Sequence, residues 1–214
     1  YIISSLSEFY NIIEAVNGQE GIDKAIYYLP DLIISDLMMP RMDGMEMCSK
    51  IKNDIRTSHI PIIMLTAKSM NDDIKEGYKS GADDYITKPF SAAVLVARVD
   101  NIILSRAKLK ELYGKQFTLE TLGVEAVSLD EQFLQKLYAI MEKNISNPAF
   151  DLDKVSQEIG MSRTNLYRKI KSVTNLSPSE FIRNFRLSMG AKILKEARLP
   201  ISEVYVAVGF NSHA

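Results

Sequence analysis

With 214 residues, 46% hydrophobic and 25% charged, the chain has room for one large domain or two small ones and the composition of ordinary globular protein. No run reaches the roughly 18 apolar residues that span a bilayer, no signal-peptide pattern opens the chain, and a single cysteine, Cys48, excludes an internal disulfide and fits a reducing, cytoplasmic setting. The net charge of −1 hides an asymmetry: residues 1–128 hold 14 basic and 18 acidic side chains, whereas residues 129–214 hold 12 basic and 9 acidic.

In chain order, the apolar spacing of Ile2, Ile3, Leu6 and Phe9 reads as a helix already under way at Tyr1, so the chain is expected to be a fragment at both ends. Asn11–Val16 reads as a strand, Gly18–Leu29 as an amphipathic helix and Asp31–Asp36 as a buried strand. Gly44–Asp54 is then a helix, His59–Thr66 a strand and Met70–Ser80 a helix ending at Gly81. Asp84–Thr87 is a short strand, and Ser91 caps a long helix reaching about Tyr113. Strands separated by single helices imply right-handed crossovers and a parallel sheet. Cys48 falls in a helical pattern with Met45 and Met47, which points to core packing. His59 and His213 have no partners at metal-ligand spacing, which argues against zinc.

Three of these strands end in polar residues. Asp31-Leu-Ile-Ile-Ser-Asp36-Leu-Met-Met-Pro40 ends in a carboxylate, Pro61-Ile-Ile-Met-Leu-Thr66 in a hydroxyl, and Asp84-Tyr85-Ile-Thr-Lys88-Pro89 in an ammonium. The carboxyl ends of parallel strands face the crevice where open α/β sheets bind ligands. A carboxylate, a hydroxyl and a lysine there suit an aspartate that accepts a phosphoryl group: Asp36 as nucleophile, Thr66 as donor to a phosphoryl oxygen, Lys88 as counter-charge. The competing reading is three unrelated strand ends, with Asp36 merely capping the next helix.

These motifs resemble the receiver domain of two-component response regulators over roughly residues 1–113. The resemblance implies a flavodoxin-like fold that takes phosphate onto Asp36 from a histidine kinase, with Mg2+ beside it. It makes the Met38 backbone carbonyl a metal ligand, Tyr85 an aromatic switch that follows Thr66, and Lys88-Pro89 a cis peptide. The acidic pair that ends the family's first strand and holds magnesium is not in this chain. Asp72-Asp73 and Asp83-Asp84 read as solvated or capping residues rather than substitutes, which leaves the metal site with Asp36 and Met38 alone. In the flavodoxin-like order 2-1-3-4-5 the first strand is central, so the receiver half is expected to be less protected than the helical half.

Periodicity fades from Gly114 to Ser128, the expected linker. Beyond it every pattern is helical, so the fold class is α/β plus all-α. Ser128 with Glu131 makes a capping box opening a helix to about Asn144. Asp151 starts a short helix ending at Gly160, and Ser162 caps one running to about Thr174. Ser177-Pro178-Ser-Glu180 opens another to about Ala197, and Pro200 begins one more. Leu152, Val155, Ile159 and Gly160 recur as Ile201, Val204, Val208 and Gly209. Each set is the first half of a helix-turn-helix, the glycine making the turn.

Two such units joined by a long helix resemble the DNA-binding domain of AraC-type regulators over roughly residues 129–214. The stretch Ile159-Gly-Met-Ser-Arg-Thr-Asn-Leu-Tyr-Arg-Lys-Ile170, followed by Leu176-Ser-Pro-Ser-Glu-Phe-Ile182, carries the likeness. Tyr205 stands where the family has a small residue, and the second recognition helix lies beyond Ala214. On the first recognition helix, Thr164, Tyr167 and Arg168 share an outward face at i, i+3 and i+4 and match the family's base-reading positions. Arg168 is the strongest candidate for a bidentate guanine contact. Arg163, Lys169 and Lys171 are expected on phosphates, and the alternative is a solvated basic helix face.

Together the resemblances imply a phosphorylation-controlled transcription regulator of a bacterial phosphorelay that binds double-stranded DNA, homodimerises when phosphorylated and makes no membrane contact. These residues would then be no enzyme. One alternative is the C-terminal end of a hybrid sensor histidine kinase, whose upstream domains supply the kinase. Another is a phosphate-independent interaction module with an inert Asp36.

Overall fold

A computed structural model describes residues 2–67, 81–115, 128–196 and 199–211. The expected helix Met70–Ser80, most of the expected linker and the residues after 211 lie outside them. The chain divides into two compact units, Tyr1–Ala107 and Lys108–Ala214.

In the first unit the described elements are α1 (Ile2–Leu6), α2 (Gly18–Tyr28), β1 (Ile33–Asp36), α3 (Gly44–Asn53), β2 (Ile62–Ala67), β3 (Asp84–Lys88) and the long α4 (Ala92–Lys115), which passes the division. The three strands form a parallel sheet in the order β1-β2-β3. Its pleat sorts β2 by parity, as period-2 side-chain alternation requires. Ile62 and Met64 join Met47, Cys48 and Ile51 of α3 and Ala25 of α2 in one cluster. Ile63 and Leu65 join Leu6 of α1 and Leu95 and Val99 of α4 in the other. Cys48 is fully buried in the first cluster, as its helical pattern suggested.

Residues 11–16 do not form the expected strand. All six are exposed and none enters a ladder. A strand exists only by pairing, and in the flavodoxin-like order this segment and β1 would flank a third strand rather than each other. No described residue supplies that partner.

The second unit is helical: α5 (Leu129–Lys143), α6 (Leu152–Ile159), α7 (Arg163–Thr174), α8 (Pro178–Lys195) and α9 (Ile201–Ala207). Both expected capping boxes form, Ser128 with Glu131 and Ser177 with Glu180, the latter with Pro178 in the first turn. The core gathers Phe133, Leu137 and Tyr138 of α5, Leu166 and Ile170 of α7, and Phe181 and Phe185 of α8. Tyr138 stacks on both phenylalanines, at centroid distances of 5.7 and 6.1 Å. Gly160 and Gly209 both adopt the left-handed conformation, with φ of 78° and 80°, so the two short amphipathic helices end alike.

Candidate phosphoacceptor site and nucleic-acid interface

Asp36 ends β1 with its side chain 41% exposed. One carboxylate oxygen accepts from the Lys88 ammonium and the other from the Met38 amide at 3.3 Å. Lys88 ends β3 in register with Ala67, so β2 lies between the paired groups. Strands stand about 4.8 Å apart, and only a side chain as long as lysine crosses two spacings to reach a short carboxylate. The helix after the site is drawn in closely: a Cβ on Gly44 would come within 2.2 Å of the Asp36 carbonyl oxygen, so only glycine fits. Asp43 caps α3 there by accepting from the Glu46 amide at 2.8 Å.

Thr66 is buried at the intervening tip, and its hydroxyl donates to the Ala67 carbonyl at 3.3 Å. Tyr85 pairs with Met64, and Thr66 with Thr87. Tyr85 therefore sits diagonally from Thr66 on one face of the sheet, half-buried against the α2–α3 cluster. The Lys88–Pro89 peptide is cis, as expected. This arrangement offers a solvent-accessible carboxylate oxygen, a cation held against it and a hydroxyl on the neighbouring strand.

In the second unit α7 presents Thr164, Tyr167 and Arg168 outward and buries Leu166, Ile170 and Val173. Arg163 is exposed and spans both oxygens of Asp153, at 2.9 and 2.8 Å. Lys171 is exposed and donates to the Asn175 carbonyl at 3.3 Å. Lys169 corrects the expectation of a phosphate contact. It is 0% exposed, with its ammonium 2.5 Å from Asp130 and 5.7 Å from the centre of the Phe133 ring. The cause is helical geometry, because residue 169 lies three after Leu166 and four before Val173, inside the buried stripe. Read by period rather than by charge, the sequence carried that signal.

The family model for response regulator receiver domains matches residues 2–100, and a helix-turn-helix domain model matches residues 155–214. The chain is a response regulator receiver followed by an AraC-type helix-turn-helix domain. It is 44% identical over 212 residues to histidine kinase P4 of Formosa agariphila, a match covering 99% of this chain and 16% of that protein. The signal receiver domain of a histidine kinase from Syntrophus aciditrophicus is 36% identical, with a TM-score of 0.47 over 49% of this chain and 80% of that one. A sensor histidine kinase receiver from Pseudomonas aeruginosa PAO1, described with a magnesium ion in its active-site cleft, is 27% identical. Its TM-score is 0.43 over 48% of this chain and 82% of that one. The chain spans about one sixth of the length of the Formosa agariphila kinase, and 8% and 37% of two other curated relatives that it matches.

Magnesium prefers octahedral oxygen coordination. In the receiver, Asp36 and the Met38 carbonyl are the candidate donors. Among the described residues no group of three His, Cys, Asp or Glu side chains could hold a metal. The described residues alone therefore do not fit the ion.

Asp83 departs from the solvated role expected of it. It accepts from Lys52 at 2.5 Å, from the Ile62 amide at 2.9 Å and from Arg106 at 2.6 Å, tying α3, β2 and α4 together. Burial raises its pKa, but Lys52, the Ile62 amide and Arg106 outweigh that and hold it below the usual carboxylate range. Asp84 pairs with the more exposed Arg98 at 3.2 Å. Asp72 and Asp73 lie outside the described residues.

Proposed function

We propose that this chain is the output end of a phosphorelay: Asp36 accepts a phosphoryl group from a histidine kinase, and α7 reads double-stranded DNA. The observation that carries the reading is the Asp36–Lys88 pair spanning the tip of β2, with Thr66 on the strand between. The added group brings roughly 1.5 to 2 negative charges. Lys88 is the counter-charge, Thr66 turns its hydroxyl toward the new oxygens, and Tyr85 follows into the space Thr66 leaves. The receiver occupies residues 1–113, a linker 114–128 and the DNA-binding domain 129–214. Phosphorylation promotes homodimerisation, which raises the local concentration of DNA-binding domains on paired half-sites. A magnesium ion at the receiver site would need donors beyond Asp36 and the Met38 carbonyl, and the protein works in the cytoplasm without membrane contact by these residues. No helix among the described residues is long and apolar enough to cross a membrane.

A second reading concerns the parent chain. The match across 99% of this chain to one sixth of a histidine kinase favours a hybrid sensor whose upstream domains supply the kinase. These residues would then receive phosphate within their own chain.

Acetyl phosphate with magnesium, followed by intact mass of the full-length parent protein, tests the acceptor. Wild type gains one phosphoryl mass and Asp36→Asn gains none. Label persisting on the variant would move the site elsewhere.

A further inference from the structure

Lys169 is fully buried in the middle of α7, and its ammonium forms a salt bridge with Asp130, in the first turn of α5. A buried ion pair is poor evidence of stability, because desolvation consumes most of the attraction. Its attested alternative use is to specify one arrangement among several of similar energy. Leu166, Ile170 and Val173 of α7 share one apolar cluster with Phe133, Leu134 and Leu137 of α5. Such burial is non-directional and tolerates a helix rolling about its axis.

We propose that the Lys169–Asp130 pair is a positioning device that sets the roll of α7 and so aims Arg168 and Tyr167 at the bases. The inference rests on the reading of α7 as the DNA-reading helix. Arg168 immediately precedes Lys169, so one rigid turn carries both. With a side-chain radius of about 6 Å, a roll of 20° or so moves a guanidinium by about 2 Å. That is enough to break a bidentate contact, whose donor–acceptor distances vary by only a few tenths of an ångström. Rolling α7 would separate the ammonium from the Asp130 carboxylate and leave a buried charge unpaired, which the fold resists strongly.

Asp130 stands in the most tightly capped turn of α5. It lies at the positive end of α5, where a carboxylate is favoured, beside the Ser128–Glu131 capping box. Glu131 also accepts from the Tyr113 hydroxyl at 3.4 Å. The anchor for Lys169 is thus a fixed point of α5.

The test uses the full chain and a random-sequence duplex library. The duplex that wild type selects is compared with a scrambled duplex of the same composition by fluorescence anisotropy. The double variant Lys169→Met/Asp130→Leu fills the same space without charge. It should keep its thermal midpoint and bind the scrambled duplex within about twofold of wild type. Its preference for the selected duplex should fall about tenfold, the scale of one lost bidentate base contact. A folded double variant with undiminished preference overturns the proposal. If that variant does not fold, Asp130→Glu decides: it keeps the charge pair but lengthens it by a methylene, and an unchanged preference again overturns the proposal. Arg168→Ala separates the layers. Loss of preference there with retention in the double variant defeats the positioning role alone, whereas retention in Arg168→Ala defeats the reading of α7 itself.

Discussion

Arg168 and Lys171 are both exposed on α7, yet they should respond differently to removal. Arg168 stands on the outward face with Thr164 and Tyr167, so Arg168→Ala should cost about 1–3 kcal/mol on the preferred duplex and relax choice at one base pair. Lys171 sits in the last turn, bonded to the Asn175 carbonyl, where a phosphate contact supplies affinity without sequence information. Lys171→Ala should weaken all duplexes alike and reduce the salt slope by about one. Titrations of both variants on selected and scrambled duplexes at several salt concentrations check the pair, and an equal loss for Arg168→Ala on both duplexes would remove it as a base reader. The same scale shows what was legible in sequence. The juxtaposition of Asp36, Thr66 and Lys88 was readable because each lies at the carboxyl end of its strand, and parallel topology brings such ends together. For Lys169 the burial was readable from its period in the stripe, but its partner, 39 residues earlier, was not.

Among the elements, Asp83 joins three that adjoin the receiver sheet. Its pKa is depressed in the fold, so the sign follows from linkage. The stabilisation is complete above the unfolded carboxyl value of about 4 and is lost as pH falls below it toward the folded value. Asp83→Asn should cost about 1.5–3 kcal/mol at neutral pH, the range for hydrogen bonds to charged groups. It should also flatten the fall in thermal midpoint as pH drops below about 4; a variant as acid-sensitive as wild type would contradict the assignment. The two turn glycines make a second contrast. Gly160 and Gly209 share φ near +80°, but an added Cβ meets nothing within 4 Å at Gly160 and the Ile145 carbonyl at 2.2 Å at Gly209. Gly160→Ala should therefore cost only the backbone strain, about 1–2 kcal/mol, and Gly209→Ala distinctly more, as denaturant melts of the two variants would measure. Most element types were legible from period and caps. Residues 11–16 were not, because Ile12, Ile13 and Val16 carry strand-like residue types, whereas pairing depends on a neighbour that local sequence does not specify.

At the scale of the whole molecule, apolar burial falls into separate sets. Among the described residues, the two clusters on the receiver sheet draw on residues between Ile2 and Ile103, and the helical cluster on residues between Tyr113 and Met189. The division into receiver and DNA-binding halves was visible in sequence, since the switch from alternating strand and helix to all-helical pattern marks it. The separation of cores could only be inferred from it. A perturbation deep in one core should then stay there. Phe181 is fully buried and stacked on Tyr138, so Phe181→Ala removes an aromatic from the middle of the helical core at a cost of about 3–5 kcal/mol. Native-state hydrogen exchange should record that loss in the amides of α5, α7 and α8, while those of β2 and β3 keep their wild-type protection. β1 pairs on one side only among the described strands, so its amides should exchange faster than those of β2 in both proteins. If Phe181→Ala lowered protection in β2 by as much as in α5, the two units would unfold as one, and stability would have to be assigned to the chain as a whole rather than to each core.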